Sequence, residues 1–139
     1  MHISDLHPDL FYTVGAKTNC TEPVCCRGNV TSLNMTFEER LRQYEEGNVL
    51  LESNNEINAN NSAGYWGSLS NCDLPFQTFD LFLKELSKMD LDLIIWTGDN
   101  TPHDIWAQTQ SYNLNYTHTI VQRLKKATKA RIIPAMGNH

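Results

Sequence analysis

The chain has 139 residues, 40% of them hydrophobic, with a formal charge of −5 from 11 basic and 16 acidic side chains. That length suits one domain or part of one, and that apolar content argues against disorder. The acidic balance, without any basic block, excludes nucleic acid as the expected partner, and no apolar run approaches the roughly 20 residues of a membrane span.

In chain order, "MHISDLH" reads as the end of a strand entering a turn, and no leader-like stretch precedes it. Residues 8–31 carry Cys, Asn and Gly without a clear period and read as a disulfide-tied loop. In "TFEERLRQYEE", Thr36 and Glu39 have the spacing of a capping box, and Phe37, Leu41 and Tyr44 fall on one helical face. "ESNNEINANNS" is nearly all Asn, Glu and Ser and reads as a surface loop, and "GYWGSLSNCD" follows as a second loop. "PFQTFDLFLKELSKM" predicts a helix with Pro75 in its first turn and Phe76, Phe79, Leu83 and Leu86 on one stripe. "LDLIIWTGD" predicts a short buried strand over 91–97. Ile120, Val121 and Leu124 mark a further helix over 116–128, with Lys125, Lys126 and Lys129 near the end where cations complement the helix dipole. "ARIIPAMGNH" predicts a last strand with a polar tip, completing an α/β alternation without repeats.

Four cysteines, Cys20, Cys25, Cys26 and Cys72, are an even number, and the vicinal pair is expected to bond outward to other partners. Five Asn-x-Ser/Thr sequons occur, at Asn19, Asn29, Asn34, Asn60 and Asn115, well above what 14 asparagines and 20 hydroxyl residues would produce by chance. Together they predict a glycosylated protein of an oxidising compartment, secreted or lysosomal, with its natural N-terminus lying upstream. The competing reading is an Asn-rich chain with accidental sequons and free thiols.

Ligands of open α/β sheets bind beyond the carboxyl ends of the strands. Here those ends carry Asp5 and His7, then Asp99, then Asn138 and His139, all metal-ligand or acid–base types. Asp5 and His7 are two apart, and in an extended segment their side chains would point the same way. Gly98 and Gly137 would let the backbone turn and expose the residue that follows. Each tip alone is ordinary turn chemistry; three successive tips bearing these types are much harder to obtain by accident. Such ligands suit borderline divalent ions: zinc, manganese or iron.

Asp5-x-His7, Gly98-Asp99 and Gly137-Asn138-His139 resemble the first three motif blocks of the calcineurin-like metallophosphoesterases. Within them, "HISDLHPDLFYTVG", "CTEPVCCRG", "AGYWGSLSNCDLPF", "IIWTGDNTPHDIW" and "IPAMGNH" resemble the acid sphingomyelinase family. The resemblance covers nearly the whole chain and fails over residues 29–61, where an Asn-rich insertion is expected. It implies an α/β fold, the N-terminal part of a four-layer α/β/β/α sandwich, so that residues 1–139 would be the N-terminal portion of a catalytic domain truncated before its downstream histidine ligands. It implies two divalent ions, typically zinc, with Asp5 and His7 on the first, Asp99 bridging, and Asn138 on the second. His103 and His139 would be the acid and transition-state-stabilising histidines, and Cys20–Cys25 and Cys26–Cys72 the disulfides. The implied reaction is hydrolysis of sphingomyelin, a phospholipid substrate met at a membrane surface. The same chemistry on a nucleotide or another phospholipid, and an inactive secreted glycoprotein fragment, are the alternatives. His118, mid-helix, and His2 are assigned to structure or solvent. Trp66, Trp96 and Trp106 are aromatic anchors; Tyr65-Trp66 suits either a lipid-facing groove or core packing.

Overall fold

The computed structural model describes residues 1–28, 34–52 and 61–138. Three parallel strands form its main sheet, β1 (His2–Ile3), β6 (Leu93–Trp96) and β7 (Arg131–Pro134), in the order β1-β6-β7. Two shorter parallel pairs lie outside it: β2 (Pro8–Asp9) with β5 (Leu74–Pro75), and β3 (Thr13–Val14) with β4 (Leu50–Leu51). Among the described residues three helices complete the mixed α/β fold: α1 (Phe37–Glu45), α2 (Phe76–Leu86) and α3 (Gln110–Ala127).

Each helix follows from its sequence. Thr36 accepts the Glu39 N–H while the Glu39 carboxylate accepts the Thr36 N–H, the capping box expected for α1. Phe76, Phe79, Leu83 and Leu86 of α2 are all buried, with Pro75 at the N-cap rather than inside the first turn. The last helix starts six residues before its predicted beginning, because Thr109 caps it by accepting the Tyr112 N–H. Tyr112, Tyr116, Ile120 and Leu124 then recur every four residues on the core face. Asparagine-rich positions between them mask that period. Ile3, Ile94 and Trp96 of the sheet join the same core.

The main sheet departs from expectation in one respect. Segment 91–97 reads as a buried strand, yet β6 is shorter and buries only Ile94 and Trp96, leaving Leu93 and Ile95 exposed. Exposed Ile133 on β7 extends that apolar face. Likewise, the loop over 8–31 contains β2 and β3, whose two-residue length carries no periodic signal. Segments 29–33 and 53–60, and with them Asn29 and Asn60, lie outside the described residues.

Both disulfides, Cys20–Cys25 and Cys26–Cys72, are formed. The second joins the N-terminal loop to the segment leading into β5.

The capping box has a pH signature. The Thr36 N–H, followed by its hydroxyl, holds the Glu39 carboxyl below the ordinary glutamate value of 4.5. A carboxyl whose folded value lies below its unfolded one stabilises above the unfolded value and loses that contribution as pH falls through the folded value. The start of α1 is therefore expected to fray below about pH 4.5. Amide exchange at Thr36 and Glu39 would register it as lost protection. A Thr36 amide resonance unmoved between about pH 6 and 3 would contradict it.

Candidate metal centre

Three parallel strands in the order β1-β6-β7 bring their carboxyl ends side by side, with the Asp99 tip in the middle. Asp5, His7 and Asp99 each offer a ligand atom, and these atoms lie within 4.8 Å of one another. His7 and Asp99 are buried and Asp5 is exposed, so the cluster opens to solvent on one side. The His7 N–H donates to the Asp99 carbonyl at 3.4 Å, a direct tie between two tips.

Convergence arises differently from the alternation expected of an extended segment. Asp5, His7 and Asp99 take φ values of 52°, 35° and 54°, and Cys26 is the fourth non-glycine residue with positive φ among those described. Left-handed backbone at a non-glycine residue costs on the order of 1–3 kcal/mol and persists where the surroundings over-determine it, commonly at functional sites. The two ligand-type residues of the first tip thus turn out of β1 rather than continuing it. Gly98 takes φ 90°, as a sharp turn before Asp99 requires. Gly137 contributes through closeness instead: a Cβ there would collide with the Asp99 carboxylate, and one at Gly98 would collide with the Gly137 backbone. Asn138 is exposed and follows Gly137 directly. His139 lies outside the described residues.

Around the cluster, residues 98–109 are pinned from several directions. His7 Nδ1 donates to the Thr101 carbonyl at 2.6 Å, the kind of outer hydrogen bond that fixes the ring of a metal-binding histidine. Asn100 donates to Thr117 on α3. The ring of His103 lies 4.2 Å from that of His7, and its Nδ1 and backbone N–H both reach Asp73, at 2.6 and 2.7 Å. Arg27 bridges Asp9 and Asp104, and Tyr112 donates to Asp104 at 2.6 Å. Burial disfavours the Arg27 charge, but Asp9 and Asp104 outweigh it and hold the guanidinium firmly protonated. Burial beside Asp104 also pushes the Tyr112 phenol well up, keeping it neutral and a donor.

Asp73, Thr101 and Arg27 are residues that sequence reasoning missed. Asp73 and His103 are 30 positions apart and share no motif spacing; only the position of Asp73 beside Cys72 hinted that it is held in place. Other assignments settle simply. His118 is exposed on α3, and Trp96 is in the core, while Trp66 and Trp106 are more than half exposed. Trp66 and Leu69 line an open groove of about 600 Å³ with Asp5, His7 and Asp73. Of the sequon asparagines, Asn19 and Asn34 are exposed, whereas the half-buried Asn115 donates its amide to Glu38.

No family model matches the chain. It is 33% identical to sphingomyelin phosphodiesterase A of Dictyostelium discoideum and 31% identical to sphingomyelin phosphodiesterase of Homo sapiens, over 100% of this chain and 19% of each relative. It is also 32% identical to an endopolyphosphatase of Cryptococcus neoformans, over 100% of this chain and 22% of that protein. The chain thus spans about a fifth of the length of the curated relatives it matches. At 31–33% identity over its whole length, the chain is similar to the sphingomyelin phosphodiesterases of the acid sphingomyelinase family.

Proposed function

We propose that this chain carries the metal-binding tips of a phosphodiesterase that hydrolyses sphingomyelin to ceramide and phosphocholine. The observation behind this reading is the convergence of Asp5, His7 and Asp99 in left-handed backbone at adjacent strand ends. Two carboxylates, an imidazole and the neighbouring Asn138 amide fit a pair of borderline divalent ions, and zinc is the proposed metal. Asp5 and His7 would hold one ion, Asn138 the other, and Asp99 both, as its place on the central strand permits. Ions bound there supply Lewis acidity toward phosphoryl oxygens and lower the pKa of water. A diester expels a poor leaving group, so a proton delivered to the departing alkoxide speeds cleavage, and His103, whose ring lies beside that of His7, is proposed to give it. His139 is proposed as its transition-state-stabilising partner.

Lipid preference is supported by the groove. Trp66 and Leu69 are exposed along it, and Ile105 and Trp106 are exposed just beyond His103, an apolar rim suited to a substrate at a membrane surface. Two disulfides and the exposed Asn19 and Asn34 sequons support a secreted or lysosomal glycoprotein. Exposed Leu93, Ile95 and Ile133 form the face on which the second sheet of a four-layer sandwich would pack, which fits residues 1–139 as the N-terminal portion of a larger catalytic domain with its insertion at about 29–61.

The endopolyphosphatase match favours one second reading, the same metal chemistry on another phosphoester. A panel of sphingomyelin vesicles, a nucleotide diester and polyphosphate, assayed on the zinc-loaded full-length protein, separates the two. Phosphocholine release should dominate and cease with chelator. Faster turnover of polyphosphate or nucleotide would transfer the assignment, and no turnover of any would leave the inactive glycoprotein.

A further inference from the structure

We propose that Asp73 is the positioning residue of the site: its carboxylate fixes the imidazole of His103 so that Nε2, and not Nδ1, meets the departing oxygen. The inference rests on the reading above, in which His103 is the proton donor.

Both carboxylate oxygens of Asp73 serve one residue. Oδ1 lies 2.6 Å from His103 Nδ1, and Oδ2 accepts the His103 backbone N–H at 2.7 Å. A carboxylate is an acceptor only, so the proton of the Oδ1 contact resides on Nδ1. Two contacts from one planar group fix both the backbone and the ring of His103. The His7 ring, 4.2 Å away and tilted by 37°, limits the ring on another side. Burial is uneven in the way a support requires: the Asp73 side chain is 6% exposed and that of His103 40%.

Asp73 is itself held from both chain directions. Cys72 before it is bonded to Cys26, and Leu74 and Pro75 after it pair with Pro8 and Asp9. Its carboxylate therefore has little freedom to follow a moving histidine; the histidine conforms to it. Catalytic groups hold their geometry when supported by residues locked in this way.

An amide at position 73 keeps the shape and loses the function. A ring that gives its proton from Nε2 keeps a second one on Nδ1; the single oxygen of the amide can accept the backbone N–H, but its NH2 then meets Nδ1–H donor to donor and the ring loses its hold. Asp73→Asn in the full-length, zinc-loaded protein is expected to lower kcat on sphingomyelin by about 30- to 100-fold, the usual scale for an outer-shell carboxylate, with KM nearly unchanged. On a p-nitrophenyl diester, whose leaving group needs no proton, the loss should shrink to about 3-fold or less. In a His103→Ala background, Asp73→Asn should cost nothing further, because it acts only through that ring. Nitrogen NMR of the unsubstituted protein gives an independent reading, with His103 expected to carry a proton on Nδ1. A His103 ring protonated on Nε2 alone, a kcat untouched by Asp73→Asn, or an equal loss with and without His103 would each overturn the proposal. If His103→Ala retains full turnover, the proton-donor reading falls and this inference with it; an impaired His103→Ala beside an active Asp73→Asn overturns the positioning role alone.

Discussion

Asp99→Asn is expected to empty the site of metal and to lower phosphodiester turnover by about 10³-fold, the rate equivalent of several kcal/mol of lost Lewis-acid stabilisation. The position explains the size. Asp99 follows the central strand, with the Asp5 and His7 tip on one side and the Asn138 tip on the other, the place from which one carboxylate would serve both proposed ions. Asparagine keeps the volume and fits beside Gly137, but it removes a negative charge and replaces one acceptor oxygen with a donor. Elemental analysis after dialysis reads the metal, and phosphocholine release reads the turnover. His118→Ala, on the exposed side of α3, is the matched control and should stay within about twofold, the usual outcome away from packed or charged groups. Two retained metals and intact turnover in Asp99→Asn would remove Asp99 from the bridging role.

Arg27→Met is expected to cost about 3–5 kcal/mol of folding stability at neutral pH, the range for stripping the partner from a buried charge. Arg27 is 7% exposed in its side chain, donates twice to Asp9 and once to Asp104, and lies over the Phe11 ring at 5.5 Å. Methionine fills the space and leaves two buried carboxylates without their guanidinium. Burial already pushes the Asp9 carboxyl above its usual value, with Arg27 pulling the other way, so removing Arg27 raises it further. An acid raised in the folded state contributes stability that is complete below its unfolded value and is lost as pH rises through the folded one. The deficit of the variant should therefore narrow as pH falls. Urea unfolding at about pH 7 and pH 4.5 measures both statements. A gap that stays constant or widens on acidification, or one below about 1 kcal/mol at pH 7, would show that the Asp9–Arg27–Asp104 cluster is not a coupled buried network.

Much of this architecture is legible in the residues because it is local. The Thr36–Glu39 box and the Phe76 to Leu86 stripe carry their signal within one or two turns and form where expected, and the apolar run before Gly98 forms a strand, shorter and less buried than read. The strand-tip residues are legible too, since strand order follows from an α/β alternation and carboxyl ends of parallel strands meet. How Asp5 and His7 come to meet is not, because left-handed backbone at an aspartate or histidine is imposed by the surroundings and leaves no mark on composition. The supports are hidden for a related reason. Asp73 with His103, and Arg27 with Asp9 and Asp104, are pairings across long stretches of chain between single polar residues, which have no period to detect. Arg40 shows the same limit: a charged residue beside Phe37 and Leu41, it is buried and donates to the carbonyls of Leu10 and Asn48.

Gly98 and Gly137 touch backbone to backbone, with no side chain between them. Two peptide segments in that contact cannot fluctuate independently, so the loops bearing Asp99 and Asn138 move as one body. Exchange of an ion held between them is then a question of residence time. A backbone motion that carried Asp99 away from such an ion would carry Asn138 with it, so release through loop opening would be a single event. Side-chain rotation at either residue would remain a separate route, and a chelator would tell the two apart by whether its concentration sets the rate of loss.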